Sequence, residues 1–567
     1  MSTGAIVAAP ADPPIRLGQV GFLPGETKVV VVDAAQVGDA ESAIVFQLVP
    51  GGDGERKVAT VPFGEAVESP DTGEVIRHVD LTDLNEPGRY AMVVGDHRVA
   101  FDIAADAYDR PLRMAIRSFT GQRHGIAVSL APDFPQFAHG GTTSTPLVIH
   151  GLADESRTMP SVRGWHDAGD FGRYVVNSGI TTGTLLWTWE LHRQTLEPMQ
   201  LDLPPGDEHL PDYLREIKWN LDWMLSMQEE HGGTWHKATK ARFAGKWMPD
   251  DPREARATVY AIGREAKPGE PRTVTAATAN LAAVAAIAAR VYREYDPAYA
   301  DRCLDAARRA FAWCVEHPDA TFLQNPTGIH TGEYKDADPA DEMLWAAAEL
   351  FRTTGEATYG QYFKRHHERY NLASAGAPYW GNVSVLALLA YAMIDDGNGD
   401  PALLERLRKD AATNSQRIVD RIEGNPYRMP LSSNEYFWGS NGIVANYGLI
   451  LAVADHLEPS PRYRQGVLDC LHYLLGRNTF AMSFMTGVGH RSVQNIHHRP
   501  SMADGVDAPW PGLLAGGPNA GGKTPPARQW VDDASNYRVN ENAINWNAPL
   551  VLILTTAATI DEELAGS

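Results

Sequence analysis

The residue pattern of the sequence changes once, between residues 104 and 111, from one typical of strands to one typical of helices. This change constrains the fold more than any other feature. Before it, short runs rich in Val and Ile alternate with turn clusters of Gly, Pro and Asp. Strands that recur roughly every 8–12 residues are typical of a small β-sandwich. The chain therefore predicts a flexible N-terminus over 1–14, a β-sandwich over 15–104 and a helical domain over 112–565. Strands are predicted over 28–32, 44–49, 75–81, 90–94 and 98–103.

The second part of the chain has helical periodicity. Within 209–229, the residues Leu210, Leu214, Ile217 and Leu221 recur at steps of four and three, so they share one helical face. The loops between such stretches are long and rich in Gly, Pro and Trp, and long structured loops on a helical scaffold usually carry function. Further helices are predicted over 112–125, 178–193, 275–295, 298–316, 341–353, 383–394, 403–422, 441–456 and 462–475, and from near residue 541 onward.

Charge and hydropathy exclude several classes of partner. The 567 residues carry a net charge of -21, which repels phosphate backbones and anionic membranes. The chain lacks an apolar run long enough to span a bilayer. We therefore expect neither nucleic acid nor a membrane as a partner. A monomer that binds a neutral ligand fits better, and the 14 Trp and 20 Tyr suit a sugar, because aromatic faces stack on sugar rings.

The first residues do not resemble a secretory signal. An apolar patch covers 5–9, but no basic segment precedes it. The protein is therefore expected either to work in the cytoplasm or to be a secreted protein whose leader has been replaced.

Two aspartates stand three positions apart in the segment 164–174. Asp167 and Asp170 flank a glycine and lie beside Trp165 and Tyr174. Glycine lets the backbone turn tightly, so both carboxylates can point into one pocket. Two close carboxylates can hold and polarise a water molecule as a general base. An Asx turn or a metal site would also explain the pattern.

Two further clusters lie towards the C-terminus. In 483–499, His497 and Arg499 are donors suited to sugar hydroxyls, although a His-His-Arg run also occurs in solvated loops. In 530–548, Glu541 opens a predicted helix among Asn and aromatic residues. A Glu at a helix start can simply complement the helix dipole. Its surroundings can also raise its pKa and keep a proton ready for donation.

Together the three clusters resemble glycoside hydrolase family 9, the family of inverting β-1,4-glucanases that includes cellulases and endoglucanases. Asp-Ala-Gly-Asp over 167–170 is similar to one family motif, and 438–441 and 511–519 resemble family loops. The segments 16–24 and 233–237 resemble a subgroup that has an N-terminal immunoglobulin-like domain. The resemblance implies an immunoglobulin-like β-sandwich followed by an all-α (α/α)6 barrel. The second and third clusters match the family's C-terminal motifs at Ser483, Met485, Thr486, Gly489, Arg491, His497 and Arg499, and at Trp530, Asp532, Tyr537, Glu541, Ala543, Asn547 and Ala548.

The resemblance also implies a role for each carboxylate. Asp170 is expected to be the general base, Asp167 to help hold the attacking water, and Glu541 to be the general acid. Inversion requires carboxyl groups about 6.5–9.5 Å apart, which leaves room for that water. Residues expected to bind the sugar are His497, Arg499, Trp546, Trp438, Trp165 and Tyr174.

The implied chemistry needs no cofactor, but a structural Ca²⁺ is a further expectation. Many relatives hold calcium near an Asp-Glu pair, here Asp341 and Glu342, and oxygen ligands suit that ion. Where relatives often show Trp-Asp-Asp, this chain has Trp-Gly-Asn over 380–382, so one ligand is in question. Some relatives have a zinc site with Cys and His before the Asp-Ala-Gly-Asp motif; His124 and His139 remain here but the cysteines do not, so no such zinc is expected.

Three functions follow from these residues. The main hypothesis is an endo-acting glycoside hydrolase that cleaves β-1,4-glucosidic bonds in cellulose or related β-glucans. An exo-acting β-glucosidase, cellobiosidase or glucosaminidase on short oligosaccharides stays open, because intact cellulose does not enter cells. An inactive carbohydrate-binding protein is the non-enzyme alternative, and the presence of all three carboxylates argues against it.

Overall fold

The computed structural model describes residues 12–49, 51, 54–141, 146–151, 157–160 and 163–566. Residues 1–11 of the segment 1–14, which was predicted to be flexible, lie outside the described residues. Asp12 forms ion pairs with Arg491 and Arg528, at 3.3 and 3.0 Å. Strands occupy the chain up to Ile103, and the first helix begins at Asp109.

The N-terminal domain is a sandwich of two antiparallel sheets. Counted along the chain, strands one, two, six and five form one sheet, and strands four, three, seven and eight form the other. Val30, Val32, Val45, Val79 and Met92 fill the space between the sheets, because alternate residues of a strand point to the same face. The eight strands are Ile15–Arg16, Val29–Asp33, Ser42–Leu48, Glu55–Pro62, Val67–Ser69, Glu74–Asp80, Gly88–Val94 and His97–Ile103.

Three of these strands were not predicted from the sequence. Ile15–Arg16 and Val67–Ser69 are too short to show a period. Glu55–Pro62 is an edge strand with mostly exposed side chains, so it lacks the buried face that alternation would reveal.

The second domain is a double ring of helices. Within the described residues twelve long helices alternate between an outer and an inner position. The inner helix Thr275–Val291 is Ala-rich and buried on nearly every side, as expected for a helix surrounded by others. None of the described helices combines the length and apolarity that crossing a membrane requires. The twelve are Asp109–Gly121, Val175–Leu196, Asp212–Ser226, Thr275–Val291, Pro297–Glu316, Ala340–Thr354, Ala357–His366, Ser384–Ala392, Pro401–Gly424, Ser440–Leu457, Pro461–Leu474 and Ile544–Gly566.

A small mixed sheet in the helical domain was not anticipated. It supports the loop of the two aspartates, because Tyr174 pairs with Lys237 and Arg173 pairs with Ala238. Its strands are too short to stand out in the sequence. In sheet order they are Thr158–Met159, Leu147–Ile149, Tyr260–Ile262, Lys237–Thr239 and Arg173–Tyr174.

Candidate active site

The segment that carries Glu541 is joined directly to the loop of the two aspartates. The Ile544 amide donates to the Asp167 carbonyl at 2.9 Å, and Ala168 and Ala543 form an antiparallel β-bridge. Glu541 itself has extended backbone, and the last helix begins only at Ile544. The prediction that Glu541 opens a helix is therefore wrong. Bridges to neighbouring loops, rather than a helix, position its side chain.

The second cluster, which contains His497 and Arg499, crosses the same loop at Gly169. A Cβ atom on Gly169 would lie 1.9 Å from the His497 carbonyl oxygen, so only glycine allows this approach. The Arg499 amide donates to the Gly169 carbonyl at 3.0 Å. The Asp532 carboxylate accepts from the backbone amides of Gln494 and Asn495 at 2.8 and 2.9 Å. These hydrogen bonds tie the segment before His497 to the segment before Glu541.

Asp167 is 2% exposed and is held on both carboxylate oxygens. Asn177 donates to Oδ1 and the Tyr334 hydroxyl donates to Oδ2, each at 2.5 Å. Burial raises the pKa of Asp167 to about 7, and the Tyr334 hydrogen bond opposes this rise. The negative charge of Asp170 raises it further.

Asp170 is 6% exposed and accepts a hydrogen bond from the Gly172 amide at 2.9 Å. Burial raises its pKa, and the positive charge of Arg499 opposes this rise. Asp170 therefore has the cation that favours its ionised form, which is the form a general base requires.

Glu541 is only partly exposed and lies among other carboxylates. Burial raises its pKa well above the ordinary value for Glu, and the charge of Asp170 adds to this rise. Arg499 opposes both effects. All three acidic groups favour the ionised form less strongly than a free carboxyl does, and Glu541 is the one best placed to keep a proton at neutral pH.

The three carboxylates line one open cavity of about 430 Å³. Trp546, Trp438 and Tyr174 line it too, as predicted for sugar-binding residues. Aromatic faces of this kind offer the apolar surface on which sugar rings stack. Further aromatic residues around this cleft are Phe243, Tyr334, Tyr379, Trp380 and Phe437.

Trp546 is fixed by close backbone contact. A Cβ on Gly442 would lie 2.2 Å from its indole ring, and one on Gly439 would lie 2.7 Å away. Gly439, in the loop Trp438-Gly-Ser-Asn, therefore makes room for Trp546. Trp438 in the same loop is 45% exposed, and its ring lies 5.3 Å from the ring of Tyr537.

The prediction that Trp165 binds sugar is wrong. Trp165 is fully buried, and its indole N–H donates to Glu216 at 2.9 Å. Its ring lies 4.7 Å from that of Phe119, and its amide donates to Asn220. Trp165 anchors the aspartate loop on two outer helices, a role that sequence proximity to Asp167 does not reveal.

His497 and Arg499 flank the carboxylates but are not among the residues that line the cavity. His497 Nδ1 donates to the Ala534 carbonyl at 2.6 Å, so among the described residues only Nδ1 of this ring has a hydrogen-bond partner. Arg499 is 8% exposed, and its Nε donates to the Ala244 carbonyl at 2.9 Å. In this structure Arg499 acts on Asp170 and Glu541 through its charge.

Comparison with known proteins decides the family. The model of glycosyl hydrolase family 9 matches residues 108–554. The chain belongs to glycosyl hydrolase family 9. The cellulase N-terminal immunoglobulin-like domain matches residues 10–99. The predicted family and fold class are thereby confirmed, and the chain is a glycoside hydrolase with an immunoglobulin-like domain before its catalytic domain.

Relatives and solved structures cover nearly the whole chain. Endoglucanase D of Acetivibrio thermocellus is 32% identical over 96% of this chain and 83% of its own length. The Cellodextrinase of Butyrivibrio fibrisolvens is 32% identical over 95% of this chain and 99% of its own length. A family 9 structure from Bacteroides ovatus superposes with a TM-score of 0.87 at 29% identity, and the match covers 97% of this chain and 99% of the other.

Tyr334 is the main residue of this family 9 site that sequence analysis missed. Its segment carries no motif, and its backbone φ of +46° is rare for a tyrosine. The Gly332 amide donates to the Tyr174 hydroxyl at 3.1 Å, and the Lys237 ammonium donates to the Gly332 carbonyl at 2.6 Å. These contacts hold the segment so that the Tyr334 hydroxyl reaches Asp167.

The Asp341–Glu342 pair has features that suit a cation. Glu342 is fully buried, and neither of its carboxylate oxygens accepts from an N–H donor or a hydroxyl in the described part of the chain; its neighbours are the carboxyl groups of Asp341 and Asp336. Asp341 accepts from the Val383 amide at 2.6 Å. Asn382 stands where the relatives' calcium ligand is in question, and its side-chain oxygen accepts from the amide and the hydroxyl of Ser384, the first residue of the next helix. The described residues contain no group of three or more His, Cys, Asp or Glu side chains that could hold a metal ion, so backbone or water oxygens would have to complete the site.

Proposed function

We propose that this protein is an inverting endo-β-1,4-glucanase that acts on cellulose or related β-glucans. The observation that carries the proposal is the meeting of Asp167, Asp170 and Glu541 in one cleft whose walls are aromatic. The aspartate pair and Glu541 come from opposite ends of the catalytic domain. The β-bridge between Ala168 and Ala543 holds their two segments together.

The chemistry follows from the surroundings of each group. Asp170 takes a proton from water as the water oxygen bonds to the anomeric carbon. Glu541 gives its proton to the glycosidic oxygen as the bond between that oxygen and the anomeric carbon breaks. Asp167, fixed by Tyr334 and Asn177, orients the water. The configuration at the anomeric carbon inverts because attack and departure take place on opposite faces.

Product analysis on defined oligosaccharides tests this proposal. With cellopentaose, the first products should carry the α-configuration at the new reducing end, measured by NMR before mutarotation. Carboxymethylcellulose should lose viscosity faster than reducing ends accumulate, because internal bonds are cut. β-configured first products would reject inversion, and no hydrolysis of either substrate would reject the proposal.

An exo-acting enzyme on short oligosaccharides is the second candidate. The similarity to the Cellodextrinase of Butyrivibrio fibrisolvens over almost its full length favours it. Such an enzyme should release one product size from cellopentaose from the first minutes and leave the viscosity of carboxymethylcellulose nearly unchanged. The same two measurements therefore separate the candidates.

Replacing Tyr334 by Phe should lower kcat and move the acid limb of the pH profile to higher pH. The hydroxyl lowers the pKa of Asp167, which is about 7, so its removal protonates Asp167 at a higher pH. The loss in kcat should be roughly ten- to hundredfold, the range expected for a hydrogen bond to a charged group. A pH–rate profile of kcat measures both effects.

Tyr379→Phe is the matched control, since Tyr379 lines the same cleft and is 42% exposed. The pH–rate profile of Tyr379→Phe should have its acid and alkaline limbs at the same pH values as the wild type. If Tyr334→Phe also keeps them, the assignment of Asp167 as an ionised water-holding group fails.

We also propose that Asp341 and Glu342 bind a structural Ca²⁺. A cation would satisfy the unpartnered oxygens of the buried Glu342. EDTA should lower the melting temperature and added Ca²⁺ should restore it, because an ion that binds the folded state stabilises it. Glu342→Gln should abolish this response, whereas a response that survives in this variant would place the ion elsewhere.

A further inference from the structure

The general base has a second opening besides the cleft. We infer that this opening is the route by which the attacking water reaches Asp170 while a glucan chain covers the cleft. The inference rests on the proposed hydrolysis and adds to it where its second substrate, water, enters the site.

The opening is a small cavity of about 30 Å³ that is lined both by exposed residues and by Asp170. Among the described residues it shares with the cleft only Asp170 and Phe243, so neither Glu541 nor Trp546 lines it. Phe243 contacts both spaces and forms part of the wall between them. The mouth is lined by the exposed residues Arg242, Ala255 and Ala257, and the inner end by the buried residues His124, Asp170 and Phe171.

The walls of this cavity carry polar groups, each of a type that can hydrogen-bond to water. The hydroxyls of Thr239 and Thr331 lie 2.8 Å apart, and both residues are buried. Lys240 and Glu254 form an ion pair along the same cavity. A polar lining stabilises water, whereas an apolar cavity of this size would stay dry.

Size excludes a sugar from this space. A water molecule requires about 10–15 Å³ of cavity volume, so a cavity of about 30 Å³ holds only a few water molecules. The cleft, at about 430 Å³, is the space that accepts a glucosyl chain. The two cavities therefore suit the two substrates of hydrolysis, one on each side of Asp170.

The cleft alone cannot supply water to a covered base. Asp167 is 2% and Asp170 6% exposed before any sugar is bound. A glucosyl unit stacked at the cleavage point would cover what remains. Each turnover consumes one water molecule, so a long substrate would have to leave the cleft before the next cut unless water enters from another side.

Narrowing the mouth tests the inference. In Ala257→Trp and, separately, Ala255→Trp, a large side chain replaces a small one at the rim. With cellohexaose, which covers the cleft, kcat should fall about tenfold at unchanged KM. With the short substrate p-nitrophenyl cellobioside, water can still enter through the open part of the cleft, so kcat should stay near the wild-type value.

Arg256→Trp is the matched control, because Arg256 lies between the two alanines, is exposed and does not line the cavity. It should behave like the wild type on both substrates. Unchanged kcat on cellohexaose in both alanine variants would overturn the inference. A raised KM would show that the cavity binds sugar, and equal losses on both substrates would show a distorted Asp170; each of these results overturns it as well.

The same data separate this inference from the proposed function. If the wild-type protein does not hydrolyse cellohexaose, the glucanase proposal itself fails. If the wild type is active and the variants do not distinguish long from short substrates, the water route alone is rejected.

Discussion

Glu541→Gln should lose about 10²–10⁴-fold in kcat on cellopentaose, the range that general acid catalysis contributes. The amide keeps the shape of the side chain but has no acidic proton for the leaving oxygen. On 2,4-dinitrophenyl cellobioside the loss should be far smaller, because that leaving group departs without protonation. The comparison of the two substrates therefore reports on proton donation specifically.

The pH profile adds a second readout for Glu541. The wild-type enzyme needs this group protonated, so activity should fall as the pH rises through its raised pKa. In Glu541→Gln, assayed on the dinitrophenyl substrate, this alkaline limb should disappear. Asp533→Asn is the control, since it removes an exposed carboxylate from the same loop. Equal losses on both substrates would show that Glu541 is not the acid.

Asp170→Ala should be the most damaging single substitution, with a loss of at least about 10³-fold in kcat on every substrate, including the activated one. Without the base no group takes the proton from water, and a better leaving group does not replace that step. The acid limb of the wild-type profile should reflect ionisation of the aspartate pair, because activity is lost as the pH falls through their raised pKa values.

Azide distinguishes a missing base from a collapsed site in Asp170→Ala. The small anion fits the space left by the carboxylate and attacks the anomeric carbon without giving up a proton. The expected product is the α-cellobiosyl azide, with restored turnover of 2,4-dinitrophenyl cellobioside. Asp319→Ala, at an exposed position, should show neither the loss nor the azide effect. Near-normal turnover of Asp170→Ala without azide, at an unchanged melting temperature, would reject the assignment.

The proposed water route connects these predictions to the architecture. Asp170 lines both the large cleft and the small cavity, so its substitution by Ala shortens a side chain that the two spaces share. Azide rescue of Asp170→Ala should therefore be weaker when Ala257→Trp is added and the substrate covers the cleft. The rescue of short substrates should be unaffected.

The sequence by itself determined the outline of the fold and indicated which segments carry the carboxylates of the site. The residue pattern changes after residue 104 and separates predicted strands from predicted helices. Hydrophobic periods of two residues and of about 3.6 residues can be recognised in the sequence without knowledge of tertiary contacts. Asp167, Asp170 and Glu541 could be named in advance because their glycine, asparagine and aromatic neighbours form motifs within short segments. Trp546, Trp438 and Tyr174 stand in the same segments, and the cleft includes all three.

Only the tertiary structure decided how these residues are used. Trp165 and Tyr174 belong to one motif, yet Trp165 is fully buried against two outer helices while Tyr174 lines the cleft. Tyr334 reaches Asp167 from 167 positions away through a backbone conformation that no local pattern signals. Burial and the charges of other chain segments set the pKa of Glu541. Contacts between residues far apart in the chain fix each of these properties, and local sequence carries no record of such contacts.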